Sequence, residues 1–396
     1  MNKVIPIELA HAKLSASGSE KWMTCTPSAR LEEQFPDEGS EFAREGTFAH
    51  EVFELALQMW LEMVPAEKAH SLYAALKKNP FWSQDLEDHV KAAVDVVKER
   101  IAEANIRCKD PIFMVEQRLD FSAWVPEGFG TGDFVIITDG LIEVLDLKYG
   151  KGIRVDAENN SQMRLYGLGA YNELSMLYDI TEVRMTILQP RLNNYPSETL
   201  AIGPLLSWAT DKVVPAATLA WAGEGMFVPG EHCNSCFCKA RFQCKARGDA
   251  SLALAKEEFA LAKPELLTEE QVCIVLAKGT QLAKWIDDVQ AHALDQAKKQ
   301  GKKWPGFKLV EGRSNRKYSD QNEVAQALLA AKVPESVIYE RSLLGITAME
   351  KAIGKKVFAE VLNDLIVKPS GTPTLVPEGD KRPALASVAT AAEDFM

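Results

Sequence analysis

Apolar residues along the first half of the chain switch period more than once, and those switches outline the fold. From Ser40 to Met63 they recur at helical spacing (Phe48, Val52, Phe53, Ala56, Met59, Trp60), which predicts a helix. A shorter helix is expected before it, capped by Ser19 and running through Trp22 and Cys25 to Leu31, with Pro36-Asp-Glu-Gly39 as the break. Another helix is predicted from Trp82 to Asn105. The period then falls to two. Ile112 to Leu119 reads as a strand, and Gly130 to Tyr149 reads as two strands joined by Asp139-Gly140, a pair that suits a type I′ turn. Within Leu141 to Tyr149 the alternation places Asp146 and Lys148 on one side and Leu145 and Leu147 on the other. Helical spacing returns over Asn159 to Tyr178, followed by a strand over Glu182 to Leu188, a loop from Pro190 to Pro204 and a helix from Leu205 to Ala222. Helix, helix, strand, hairpin, helix, strand is an α/β order with a mixed central sheet flanked by helices.

The remainder reads differently. A long amphipathic helix is expected over Thr268 to Gln300, opened by the capping box Thr268-Glu-Glu-Gln271. A small basic α+β unit follows. The predicted organisation is a core domain over 1–249, a helical connector over 250–301, the basic unit over 302–366 and a disordered tail over 367–396.

Composition narrows the function. A net charge of -11 over 396 residues argues against a protein held to nucleic acid by bulk positive field, though it leaves room for a locally basic path. No apolar run reaches membrane-span length and the start lacks a signal-peptide core, so the expectation is a cytoplasmic protein without membrane contact. Of seven cysteines, Cys233, Cys236, Cys238 and Cys244 are crowded together, and in a reducing compartment crowding points to metal ligation rather than disulfides. Cys108 and Cys273 read as ordinary buried residues.

The hairpin carries the candidate chemistry. Asp133 follows Gly130-Thr131-Gly132 at the start of one strand, and folding back brings it toward Asp146 and Lys148. Two carboxylates and a lysine at the end of a sheet suit a divalent cation and an activated water, the outline of a phosphodiester-hydrolysis site.

Those residues resemble the PD-(D/E)xK nuclease superfamily, with Gly132-Asp133 in place of its proline–aspartate. Further matches are to its RecB-like branch: Gln162-Met-Arg-Leu-Tyr166 resembles the QxxxY helix, and Gly46-Thr-Phe-Ala-His50 resembles the GxxxH helix. Cys25 with a later cysteine group resembles the iron–sulfur members of that branch. The order also looks like a phage-encoded family assigned to it. The resemblance covers residues 15–248 and implies a restriction-endonuclease-like core and a DNA exonuclease serving phage recombination or replication in a bacterial host cytoplasm. A single-strand-binding or recombination protein is the implied partner.

On that resemblance, Asp133 and Asp146 would share Mg²⁺ or Mn²⁺ with His50 and the Leu147 carbonyl, and Lys148 would orient or deprotonate water. Gln162 and Tyr166, one helical turn apart, would hold the DNA backbone or the water. Glu116 is a weaker candidate for outer support. Cys25 with Cys233, Cys244 and either Cys236 or Cys238 would bind a [4Fe–4S] cluster or zinc. The four crowded cysteines alone are an alternative zinc set. In the basic unit, Trp304, Arg313, Arg316 and Lys317 suit phosphate contacts and base stacking. The competing readings are a catalytically inactive DNA-binding or scaffold subunit that keeps the fold and the cluster, and a zinc-ribbon regulator.

Overall fold

The computed structural model describes residues 12–36, 39–150, 152–258, 269–310, 320–332, 334–339, 345–362 and 365–366. It divides into two compact units, Met1–Asp295 and Gln296–Met396.

The first unit opens with short helices α1 (Ser19–Thr24) and α2 (Ser28–Glu32), followed by α3 (Glu41–Trp60), α4 (Ala66–Leu76) and α5 (Gln84–Arg107). Strands β1 (Ile112–Asp120), β2 (Phe129–Thr138) and β3 (Leu141–Leu147) form an antiparallel meander. Helix α6 (Ser161–Leu174) crosses to β4 (Glu182–Leu188), which pairs parallel with β3, and β5 (Ser197–Ala201) closes the far edge antiparallel to β4. The sheet is therefore mixed, five-stranded and sequential in order. Helices α7 (Ile202–Trp208), α8 (Val214–Ala222), α9 (His232–Ser235) and α10 (Lys245–Glu258) follow, and α11 (Glu269–Gln300) leads to the second unit. There the described residues form α12 (Gln321–Ala330), α13 (Glu335–Ile338), α14 (Ile346–Ile353) and α15 (Lys355–Leu362), with no strand among them.

Every residue of β3 is buried, because helices cover both faces of the sheet. On one face Ile142 and Val144 pack with Met163, Leu165 and Leu168 of α6. On the other, Leu145 and Leu147 pack with Phe48, Val52 and Phe53 of α3 and Val90, Val94 and Val97 of α5. Side-chain caps fix three helix starts that bear on the site: Ser40 accepts from the Ala43 N–H, Ser83 from that of Leu86 and Asn160 from that of Met163. Helix α6 lies unusually close to the sheet. A Cβ on Gly169 would come within 2.9 Å of the Leu119 backbone, so only glycine fits.

Several local expectations change. The first predicted helix is two, broken at Cys25, and Ser19 is a buried helical residue rather than a cap. In the hairpin turn Gly140 has φ 77° but Asp139 keeps negative φ, so the turn is not type I′, which needs both positive. The stretch after Pro190 contains a 3₁₀ turn and an edge strand rather than loop alone. Helix α4 had no clear signal, since only Ala69 of its residues is buried. Cys273 is exposed and Cys108 half-buried. No helix of the described residues is long and apolar enough to cross a membrane. The proposed capping residue Thr268, the cluster Arg313, Arg316 and Lys317, and the tail 367–396 lie outside the described residues.

Candidate active site

The site begins with a fault in the pleat. In β1, Ile112 and Met114 pack on the α6 side while Phe113 and Val115 pack on the α3 side. Past Glu116 the order reverses, and Leu119 joins the α6 side. In β2, Val135 and Ile137 lie on the α6 side, yet a Cβ on Gly130 or Gly132 would also strike α6-side atoms, those of Tyr166 or of Leu119 and Val144. Both strands therefore exchange faces at Glu116 and Asp133, which lie opposite each other between the pairs Val115–Phe134 and Gln117–Gly132. Glu116 takes the strain, with φ 51°. The exchange lets Asp133, which unbroken alternation would direct toward α6, meet a residue of α3 instead.

That residue is His50. Its Nδ1 lies 2.8 Å from Asp133 Oδ1, while Asp133 Oδ2 accepts the backbone N–H of Leu147. Leu147 thus joins the site through its amide hydrogen in this arrangement. One ligand atom each from His50, Glu116 and Asp133 lie within 4.8 Å of one another. Burial disfavours the imidazolium of His50, but the Asp133 carboxylate outweighs it and raises the group to about 9. Glu116 is pushed up to about 7, first by burial and then by the Asp133 and Glu54 charges.

The second half of the site faces α6. Asp146 is only 3% exposed, and burial holds its carboxyl above the ordinary range against the pull of Lys148. Its Oδ2 is ion-paired with Lys148 Nζ at 2.7 Å. Lys148 Nζ also donates to Gln162 Oε1 at 2.9 Å, and Gln162 Nε2 donates to the Tyr166 hydroxyl oxygen at 3.0 Å. Tyr166 sits under Gly130, where any Cβ would lie 2.5 Å from its ring. Burial drives its hydroxyl far above the usual phenol range, so it stays protonated.

These residues fit a divalent metal ion. Two buried carboxylates, Asp133 and Asp146, stand with the half-buried Glu116 at one place with few compensating cations, and hard cations prefer such oxygens. The structure gathers His50, Asp133, Asp146, Lys148, Gln162 and Tyr166 at one end of the sheet. Glu116 enters as a member of the carboxylate group itself. Its signal, an acid on the strand before the hairpin, was faint because nothing local announces a strand that exchanges faces.

A family profile described as a protein of unknown function, DUF2800, matches residues 11–383. The chain belongs to the DUF2800 family. The match spans both the sheet with its carboxylates and the cysteines of this DUF2800 chain.

Cys25, Cys233, Cys238 and Cys244 line one cavity with Phe227, Val228 and Arg241. Burial raises the Cys25 thiol, with Cys233 and Cys244 adding to the rise, and burial followed by Glu32 pushes Cys238 up to about 12. Cys236 is absent from that lining and meets Ser235 and Glu20 instead. Protein contacts bring the first helices to this region. Thr26 and Arg30 donate to the carbonyls of Glu224 and Trp221, and Glu32 accepts the Lys239 N–H while pairing with Lys21. Four thiols that line one cavity, with Lys21 and Arg241 beside them to offset thiolate charge, are the donor types of a four-thiolate centre, although their sulfurs do not lie together within ligating distance in this arrangement. In the second unit Trp304 is half-buried and lies under Lys302 Nζ at 4.2 Å.

Proposed function

We propose that this protein is a divalent-metal-dependent deoxyribonuclease that hydrolyses phosphodiester bonds. The observation that carries the reading is the junction, at one sheet end, of the His50–Glu116–Asp133 group with the Asp146–Lys148–Gln162–Tyr166 chain. His50, Glu116, Asp133 and Asp146 would hold Mg²⁺ or Mn²⁺, which when bound supplies Lewis-acid polarisation of the phosphate and an acidified water. Lys148 Nζ, drawn between Asp146 and Gln162, has an N–H left to orient the attacking water and to offset charge on the phosphoryl oxygens. Gln162 fixes Lys148, and Tyr166 fixes Gln162 from a buried position. Water would attack phosphorus and give its proton to solvent as the bond to one bridging oxygen breaks, and that oxygen would take a proton from solvent and leave as a hydroxyl. Exonucleolytic action in phage recombination or replication is part of the proposal on the motif resemblance alone.

Cys25, Cys233, Cys238 and Cys244 are proposed to hold a [4Fe–4S] cluster that ties α1 to the segment after α8, a structural role. The test uses anaerobically purified protein, end-labelled linear and circular DNA, and Mn²⁺ or Mg²⁺. Degradation of linear DNA, lost in Lys148→Ala, is expected. No cleavage of any substrate by protein with its cluster intact would overturn the proposal in favour of a binding subunit.

A further inference from the structure

Resting on the nuclease reading, we infer that Arg191 is a phosphate-binding residue of this site. It takes a phosphodiester of the bound strand beside the one that is cut, with Tyr149 and Glu45 orienting its guanidinium. Arg191 lies in the 3₁₀ turn Pro190–Leu192, just past β4, and β4 ends beside the catalytic lysine because the Lys148 N–H donates to the Leu188 carbonyl at 2.8 Å. The guanidinium stacks on the ring of Tyr149, the residue after Lys148, at 4.7 Å. Its Nη1 donates to Glu45 Oε1 at 3.0 Å and to the Tyr149 carbonyl at 3.5 Å. Glu45 comes from α3, the helix that carries His50.

Three features point to a phosphate. Nε and Nη2 have no hydrogen-bond partner among the described residues, so the edge of the fork that suits two phosphate oxygens is uncommitted. His50 pairs with Asp133, and Lys148 is held by Asp146 and Gln162 with one N–H for the water, whereas Arg191, just past the strand end that the Lys148 N–H binds, keeps those two nitrogens for a neighbouring phosphate. The side chain is 17% exposed and pinned by the stack, so ordering it on binding costs little rotamer entropy. Tyr149 is itself buried and packed in the α3-side core, which keeps the stack in place.

The test is a salt series of fluorescence anisotropy on single-stranded and duplex oligonucleotides, in full-length Lys148→Ala protein with and without Arg191→Ala, paired with steady-state cleavage by the single Arg191 variants. Removing one phosphate contact should weaken binding about ten-fold and flatten the slope of log K against log salt by about 0.7–0.9. In Arg191→Ala, KM should rise by a similar factor with kcat within about two-fold, and Arg191→Lys should restore the slope but only part of the affinity. An unchanged slope, a fall in kcat at constant KM, or no binding to either oligonucleotide overturns the inference. The nuclease reading fails separately: a wild-type protein that cleaves nothing, yet whose salt slope falls with Arg191→Ala, would be a binding protein that uses this contact.

Discussion

Glu116 and Asp133 face each other across β1 and β2 at the point where both strands exchange faces, and their carboxylates converge with His50. A half-buried acid held in a left-handed conformation has no structural merit of its own, since either feature costs stability. Metal binding would offset that cost. Glu116→Gln should therefore lower Mn²⁺ affinity about 10–100-fold while leaving the fold intact. Calorimetric titration of the metal alone into each protein reads this directly, and equal affinities would remove Glu116 from the site.

Protons and metal compete for the same atoms. In the metal-free protein His50, raised to about 9, holds its proton at neutral pH, and Glu116, pushed up to about 7, is there about half protonated. Coordination requires these protons to be released, so affinity must rise with pH through that window. Mn²⁺ binding should tighten steadily between about pH 6 and about pH 8 and release protons to the buffer. Titrations in buffers of different ionisation enthalpy measure the release; a flat pH profile with no released protons would contradict this ligand set.

Lys148, Gln162 and Tyr166 form one chain, each group placed by the next. Lys148→Ala is expected to lower the single-turnover cleavage rate about 10²–10³-fold. Gln162→Ala should cost less, because it acts by positioning Lys148. In the double variant its effect should vanish, as effects of residues working as a unit do not add. Additive losses would mean that Gln162 touches the substrate on its own account.

How much of this was legible follows from the kind of signal each residue leaves. Asp146 and Lys148 fall two apart at the end of a strand, and Gln162 and Tyr166 fall one turn apart on a helix face, so local periodicity pairs each set while the motif order joins the two pairs. His50 was found through its motif, although its own helix reads as core. Glu116 was undervalued because its role depends on a reversal of the pleat, which has no local pattern. Cys238 could not be told from Cys236 by spacing. The distinction is tertiary: Cys238 lines the cavity with Cys25, Cys233 and Cys244, and Cys236 does not. Arg191 follows a strand in a stretch that looks like plain loop, and its stack on Tyr149 is purely tertiary.

The close approach of α6 to the sheet can be tested for stability alone. Ala is a better helix former than Gly by about 1 kcal/mol, so Gly169→Ala would stabilise an isolated helix. Here the added methyl meets backbone, the Leu119 carbonyl carbon at 2.9 Å and the Asp120 nitrogen at 3.2 Å, and cannot be relieved by a rotamer change. Overpacking of this sort costs about 1–3 kcal/mol and should win. Thermal and urea denaturation of Gly169→Ala should show net destabilisation; a more stable variant would mean that α6 sits farther from β1.

The cysteine cavity makes a prediction independent of catalysis. Protein purified without oxygen should be brown, with a broad absorbance band toward the visible and iron bound to the chain. Cys236 stands outside the cavity lining, so Cys236→Ser should keep colour and iron, whereas Cys238→Ser should lose both. Arg30, Thr26 and Glu32 hold α1 and α2 by hydrogen bonds that need no cluster. The Cys238→Ser protein should therefore remain folded with a lowered thermal midpoint instead of unfolding outright. Iron analysis, the visible spectrum and a melting curve on the two variants separate the outcomes. Loss of iron in Cys236→Ser with retention in Cys238→Ser would reverse the assignment, and colourless protein with bound zinc would replace the cluster with a Cys₄ zinc site.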